Sequence, residues 1–200
     1  MYKISCIAGA AIAALAAPAF GQTVRTLPDV VVSASAAPLP SDQVGSAVTV
    51  IEREAIQRKQ ARFVSDLLRE VPGVALSRSG PVGSITQVRI RGAEANQTLV
   101  LIDGVEVNDP SGASEFDLST LLADDVERIE ILRGPQSALY GSDAIGGVIN
   151  IITVKGKGAP RVAARAEGGS FNTASAAAGV SGGGDAFDYA LNVAGFRTAG

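Results

Sequence analysis

The order of apolar and polar positions predicts a folded unit that begins near residue 44. Residues 47–51 are strand-like and rich in β-branched side chains. Apolar side chains then recur at helical spacing over residues 64–71, and Pro72-Gly73 ends the run. This spacing predicts a short helix with one apolar face, packed against the strand that precedes it.

The rest of this unit alternates between strand and turn signals. Residues 99–102 and 105–108 flank Asp103-Gly104, a pair typical of a tight hairpin turn. Three further segments have strand patterns: 87–91, 126–132 and 148–152. Residues 137–140 predict one helical turn, which Gly141 ends. We therefore predict an α+β domain over residues 44–154, with a small mixed sheet and short helices.

A different pattern begins after residue 158, where glycine-rich breaks separate segments of alternating polarity. The segments cover 161–167, 172–181 and 187–197. In the last of them Phe187, Tyr189, Leu191 and Val193 share one face, opposite Asp188 and Asn192, as strands between lipid and a polar lumen require. We predict that residues 159–200 begin a transmembrane β-barrel. The alternative is a soluble β-meander, because each strand carries a weak signal.

The predicted barrel is incomplete in this sequence. Residues 159–200 suffice for about four strands of roughly ten residues, whereas the smallest membrane barrels need about eight. An open sheet in lipid would leave unpaired backbone groups, each costing several kcal/mol. We therefore expect either a fragment of a transporter or a truncated, non-transporting plug.

The first 43 residues carry export and linker signals. A charged start, an apolar run and small residues before Gln22 predict a secretory signal over residues 1–21, rather than an apolar buried helix. Residues 22–43 contain three prolines and predict a flexible leader. The one cysteine, Cys6, lies inside the predicted signal, so the exported chain would form no disulfide.

Composition excludes several function classes. The chain has no histidine, which removes imidazole bases and His-ligated zinc, and its formal net charge of −3 disfavours nucleic acid. We predict a protein that is not an enzyme and has no cofactor and no metal site. One acidic stretch could touch calcium, although its spacing lacks the alternating ligand loop and favours a solvated face or lock partners: Asp103, Glu106, Asp109, Glu115 and Asp117.

Several motifs resemble the plug of TonB-dependent receptors. They are Ile90-Arg91-Gly92, the run 99–105, the run 128–135 and the run 137–153, and together they most closely resemble the vitamin B12 transporters. The resemblance implies a plug inside a barrel of the outer membrane, in contact with its lipid. It also implies TonB as the energising partner and uptake of a scarce bulky ligand. Cobalamin is the first expectation and a ferric siderophore the alternative.

The resemblance also assigns roles to individual residues. The predicted TonB box, a β-prone strip that can add as a strand to TonB, is Asp29, Val30, Val31, Val32, Ser33, Ala34 and Ser35. Two arginines match the positions that lock the plug to glutamates of the barrel wall: Arg91 and Arg133. Ligand contacts are expected from five loop positions: Ile85, Gln87, Glu94, Gly112 and Ala113.

Overall fold

A computed structural model describes residues 30–31, 39–40, 45–111, 113–184 and 186–200. The predicted signal, most of the leader and Gly112 lie outside these residues. Two short strands come first, β1 (Val30–Val31) and β2 (Leu39–Pro40), which pair antiparallel. Among the described residues, no helix is long and apolar enough to cross a membrane.

A five-stranded mixed sheet organises the domain that follows. Its strands stand in the order β3-β8-β9-β6-β7, and only β6 and β9 run parallel to each other. The strand bounds are β3 (Ala47–Glu52), β6 (Thr98–Ile102), β7 (Val105–Glu106), β8 (Val126–Arg133) and β9 (Gly147–Thr153). The strands predicted over 47–51, 99–102, 126–132 and 148–152 and the hairpin at Asp103-Gly104 are confirmed, whereas the strand predicted over 105–108 ends at Glu106.

The main core lies on one face of this sheet. Ile129 and Ile131 of β8 and Ile149 and Ile151 of β9 point into it, because alternate residues of a strand face the same side. Helices α1 (Arg53–Lys59) and α2 (Val64–Leu68) cover this face. A third helix, α3 (Ser137–Tyr140), lies on the other face, where Leu99, Leu132 and Val148 form a smaller core.

Helix α2 is shorter than its apolar spacing predicted. It ends at Leu68, and the chain then turns through hydrogen bonds from Glu70 N to Leu67 O and from Val71 N to Leu68 O, each spanning three residues. Val71 is nevertheless buried, so the predicted apolar face continues past the end of the helix. Burial at the helical positions is complete for Val64, Leu67 and Leu68.

A separate hairpin also packs against the main core, beside the sheet and the two helices. Strand β4 (Val74–Arg78) pairs antiparallel with β5 (Thr86–Ile90). The sequence pattern identified β5 but not β4, because Val74 and Leu76 are its only large apolar residues. Three 3₁₀ turns complete this domain: Ala95–Gln97, Leu118–Thr120 and Ser142–Ala144.

The last three strands form an independent antiparallel sheet, which we call the wall sheet. It consists of β10 (Arg161–Gly169), β11 (Thr173–Gly183) and β12 (Asp188–Arg197), in that order. Leu191 and Val193 on β12 are about two-thirds exposed, and Phe187 just before it is 70% exposed. The predicted fold, an α+β unit followed by antiparallel strands that close no barrel within the described residues, is confirmed.

Candidate functional site

The two predicted lock arginines lie side by side at one end of the domain. Arg133 ends β8, and Arg91 follows the end of β5 with a left-handed φ of 53°. Both aliphatic stems approach Gly73, since a Cβ built there would lie 3.8 Å from Arg133 Cδ and 3.8 Å from Arg91 Cγ. The backbone holds this arrangement through a hydrogen bond of 2.7 Å from Arg91 N to Gly73 O.

These two like charges have little compensation within the domain. Arg133 donates to Pro72 O at 2.7 Å and to Thr49 Oγ1 at 2.9 Å, while its Nε is buried without a hydrogen-bond partner. In the described part of the chain, no ion pair reaches either guanidinium. Two adjacent cations without carboxylates form a surface that suits an anionic partner.

The predicted ligand residues divide into two places. Gln87 on β5 donates through Nε2 to Glu115 Oε2, and Arg89 Nη2 donates to Gln87 Oε1 at 3.0 Å. Ala113 lies in the loop that Glu115 closes, with a positive φ of 63°, so it is near Gln87 through this contact. Ile85 immediately precedes β5 and is 59% exposed.

Glu94 lies beyond the opposite end of β5. Its carbonyl accepts a hydrogen bond of 3.0 Å from Gln97 N, and Gln97 Oε1 accepts one of 3.2 Å from Glu94 N, so Glu94 caps a 3₁₀ turn. Gly112 lies outside the described residues. The structure therefore groups Ile85, Gln87 and Ala113 into one loop surface and places Glu94 apart from them.

Asp117 joins the start of β5, next to this loop surface, to the 3₁₀ turn Leu118–Thr120. Its Oδ1 accepts hydrogen bonds of 2.9 Å from Thr86 N and from Ser119 N, and its Oδ2 accepts one of 2.8 Å from Ser119 Oγ. Burial pushes the pKa of Asp117 upward, but these hydrogen bonds outweigh it and hold the pKa below the ordinary value. The carboxylate thus ties the Thr86 amide, directly after Ile85, to the 3₁₀ turn that begins at Leu118.

Asn108 is a structural residue that the sequence pattern did not identify. It is 8% exposed, its Oδ1 accepts from Val100 N at 2.8 Å, and its Nδ2 donates to Thr98 O at 3.1 Å and to Ser114 O at 2.8 Å. The side chain therefore extends the pairing of β6 where β7 has ended, and it holds the loop that contains Ala113. The sequence pattern had included Asn108 in the strand predicted over 105–108, and the structure places it after the end of β7 at Glu106.

The acidic stretch does not converge on a cation site. Asp103 accepts from Thr153 and pairs with Lys155 Nζ at 3.6 Å, whereas Glu115 and Asp117 bind Gln87 and Thr86 in the loop surface. Among the described residues, no group of three or more acidic, cysteine or histidine side chains is placed to hold a metal.

The predicted TonB box is described only at Val30 and Val31. These residues form β1 and pair in the register Val30 to Pro40 and Val31 to Leu39. The other box positions, Asp29 and residues 32–35, lie outside the described residues.

Comparison with known proteins identifies the domain that carries these features. Residues 40–148 match the family profile described as TonB-dependent Receptor Plug Domain, which is more than half of the chain. The chain belongs to the TonB-dependent receptor family. Members of this family are proteins of the outer membrane, and the motifs that resembled their plug are the ones that form β6, β8 and β9 here.

Solved structures of TonB-dependent receptors share this fold. The siderophore receptor PirA from Acinetobacter baumannii is 31% identical, with a TM-score of 0.61 over 76% of this chain and 24% of its own. A variant of the ferric enterobactin receptor PfeA from Pseudomonas aeruginosa, in complex with enterobactin, is 29% identical, with a TM-score of 0.57 over 75% of this chain and 25% of its own.

A third solved structure is similar in fold alone. The ferripyoverdine receptor of the outer membrane of Pseudomonas aeruginosa is 20% identical, with a TM-score of 0.65 over 77% of this chain and 20% of its own. The chain spans a quarter or less of the length of these relatives. PirA is named as a siderophore receptor and PfeA as a ferric enterobactin receptor, and neither name supports the prediction of cobalamin.

Proposed function

We propose that this TonB-dependent receptor takes up a ferric siderophore across the outer membrane, with residues 44–154 as its plug. The observation that carries the proposal is the 31% identity to a siderophore receptor over 76% of the chain. Cobalamin, the first expectation from the motifs, becomes the competing ligand. The motifs that resemble vitamin B12 transporters lie largely in the strands β6, β8 and β9, which serve the plug fold whatever ligand is bound.

The loop surface around Gln87 is our candidate for the plug's share of the ligand site. Ile85 offers an exposed apolar contact, and the chain Arg89–Gln87–Glu115 offers polar groups that are already oriented by one another. Such a mixture of apolar and fixed polar groups suits a bulky ligand with polar edges. Ala113 belongs to the adjoining loop, and Glu94 would join only from its separate position. Gly112 remains a candidate from the motif resemblance alone.

We infer that Arg91 and Arg133 lock the plug to carboxylates of the surrounding wall. Support comes from the two adjacent cations that no described carboxylate neutralises and from the buried, unpartnered Nε of Arg133. Arginine suits this role because its planar fork binds carboxylates in a bidentate manner and stays charged. The partner glutamates would come from wall strands beyond this sequence.

The segment 29–35 is our candidate for the contact with TonB. A short β-prone strip can add as a strand to a sheet edge, and backbone hydrogen bonds then transmit force. In the structure Val30 and Val31 already adopt extended backbone in β1. Strand addition to TonB would therefore require little change of backbone conformation at these two residues.

Uptake by the full-length receptor tests the proposal. Cells that lack their own siderophore and cobalamin receptors would express the whole gene and receive either iron-labelled siderophores or cobalt-labelled cobalamin. Energy-dependent iron uptake without cobalamin uptake is the expected result. Cobalamin uptake alone would overturn the siderophore proposal.

A proline substitution tests the coupling segment in the same cells. Val31→Pro removes a backbone N–H and blocks strand addition, so uptake should fall to background while ligand binding at the cell surface remains. Ala36→Pro lies one residue past the segment and serves as the matched control. Normal uptake by the Val31→Pro receptor would remove the assignment of the TonB box.

A further inference from the structure

The face of the wall sheet that meets the plug carries a row of side chains from register partners on its three strands. Glu167 on β10 is in register with Ser175 on β11, and Ser175 is in register with Phe196 on β12. Phe196 breaks the pattern of its strand, because the exposed apolar residues Leu191 and Val193 occupy the opposite face. An aromatic ring on this polar face, which is turned toward the plug, therefore needs a packing partner on the plug.

The plug supplies that partner from the link between α1 and α2. Helix α1 ends at Lys59, Gln60 turns the chain with a φ of 49°, and residues 61–63 lead into α2. This link is fixed to the body of the plug, since Ala123 N donates to Arg62 O and Val64 N donates to Leu121 O, both at 3.0 Å. It therefore presents its side chains on a rigid support.

Aromatic packing joins the link to the wall sheet. The rings of Phe63 and Phe196 meet edge to face, with centroids 5.4 Å apart and planes at 84°. The guanidinium of Arg62 lies 4.9 Å from the centroid of the same Phe196 ring, within the range of a cation–π contact. Phe63 is only 6% exposed in this arrangement.

Ion pairs surround the aromatic contact. Arg62 Nη2 lies 3.1 Å from Glu167 Oε2, and Glu167 Oε1 accepts from Arg165 on the same strand. Arg165 in turn donates to Gln60 O at 2.8 Å and lies 3.8 Å from Asp124 Oδ1. Each side thus contributes one cation, one carboxylate and one aromatic ring, so the charges balance across the contact.

We propose that this cluster is a docking site through which the first wall strands receive the plug. It is separate from Arg91 and Arg133, whose expected partners lie elsewhere in the wall. Every member of the docking site lies between Gln60 and Phe196, so the site is complete once β12 has formed. The plug can therefore be seated on three strands before the remaining wall surrounds it.

Charge reversal in the full-length receptor tests the docking site. During assembly into lipid vesicles, samples taken over time would be treated with protease, and the protected fraction of the plug would be measured. Glu167→Arg removes the ion pair with Arg62 and adds repulsion, so seating of the plug should slow by about five-fold, a change expected for losing a partly exposed charge network. Combining Glu167→Arg with Arg62→Glu should recover at least half of the lost rate.

Two further variants make the result decisive. Arg161→Glu reverses a charge on the same strand at a residue without an ion pair in the described part of the chain, and it should seat the plug at the parental rate. Phe196→Leu keeps apolar bulk but removes both ring contacts, so it should slow seating by about two- to three-fold.

Parental seating rates for both Glu167→Arg and Phe196→Leu would overturn the proposal. If Glu167→Arg blocks assembly altogether, the charge-swapped pair decides: recovery supports the docking site, and continued failure removes it.

Discussion

Replacing Asn108 by aspartate should loosen the loop that contains Ala113, although the side chain keeps its size. In the structure Asn108 accepts one backbone hydrogen bond, from Val100, and donates two, to Thr98 O and Ser114 O. Aspartate keeps the first and loses both donors, so its second oxygen faces two carbonyl oxygens in a nearly buried site. A buried acceptor left unpaired costs about 1–3 kcal/mol, and we take about 1 kcal/mol for Ser114 O because its hydrogen bond is only partly buried, which gives a loss of about 2–4 kcal/mol for the pair.

Hydrogen exchange measures this loss residue by residue in the whole receptor. A change of about 2–4 kcal/mol corresponds to about 30- to 1,000-fold faster exchange of amides that open with the loop, such as Val100 N–H and the amides of residues 113–115. Asn96→Asp makes the same chemical change at an exposed position of a 3₁₀ turn and should leave exchange unchanged. Parental protection in the Asn108→Asp receptor would refute the reasoning that these two donors hold the loop.

Three other predictions follow from the described contacts. Burial raises the pKa of Asp103, but hydrogen bonds from Thr153 and the charge of Lys155 outweigh burial and lower the pKa below the ordinary value of 3.8. Protection of the Thr153 amide from hydrogen exchange should therefore persist above pH 3.8 and fall as the pH drops through the lowered pKa. Asp103→Asn should abolish this pH dependence. A Cβ at Gly156 would overlap the carbonyl oxygens of Tyr189 and Gly182 in the wall sheet. Gly156→Ala should therefore lower the stability measured by thermal unfolding by about 1–3 kcal/mol. Gly45→Ala, where a Cβ meets open space, should leave the stability unchanged. Arg91→Gln should speed exchange throughout the plug of the full-length receptor if Arg91 is a lock residue, and Arg69→Gln, an exposed arginine after α2, should not; equal exchange in the two variants would count against the lock.

The sheet strands were predictable because their signals are local. Residues 126–132 and 148–152 are apolar runs between turn residues, and they became the central strands β8 and β9. Asp103-Gly104 marked the hairpin because the turn needs residues that tolerate positive φ, and both have it. In these places the local preference and the tertiary structure agree.

Features that depend on distant contacts could not be predicted in the same way. Strand β4 has a weak pattern and is defined by its pairing with β5. Asn108 replaces a missing strand partner, which becomes visible only when the end of β7 is known. Phe196 carried a local signal, an aromatic residue on the polar face of its strand, but its partner Phe63 lies more than a hundred residues earlier.

The candidate site shows the same division. Motif resemblance assigned Arg91 and Arg133 to the lock but did not predict that they are neighbours, whereas the structure brings their side chains together over Gly73. It grouped five ligand residues by sequence alone, whereas Glu94 lies beyond the other end of β5. Ligand identity was the least predictable part, because the shared motifs build the plug sheet and the residues that select a ligand vary in loops.

The position of β9 determines when the plug can form during synthesis. This strand is the last of the plug in the sequence, yet it stands in the middle of the sheet, between β8 and β6. Until residues 147–153 are available, β3 with β8 and β6 with β7 are two unconnected pairs, and the core between them is open to water. A nascent chain that stops short of Gly147 would therefore expose apolar strands to chaperones and proteases, and completion of a single seven-residue strand would end that exposure.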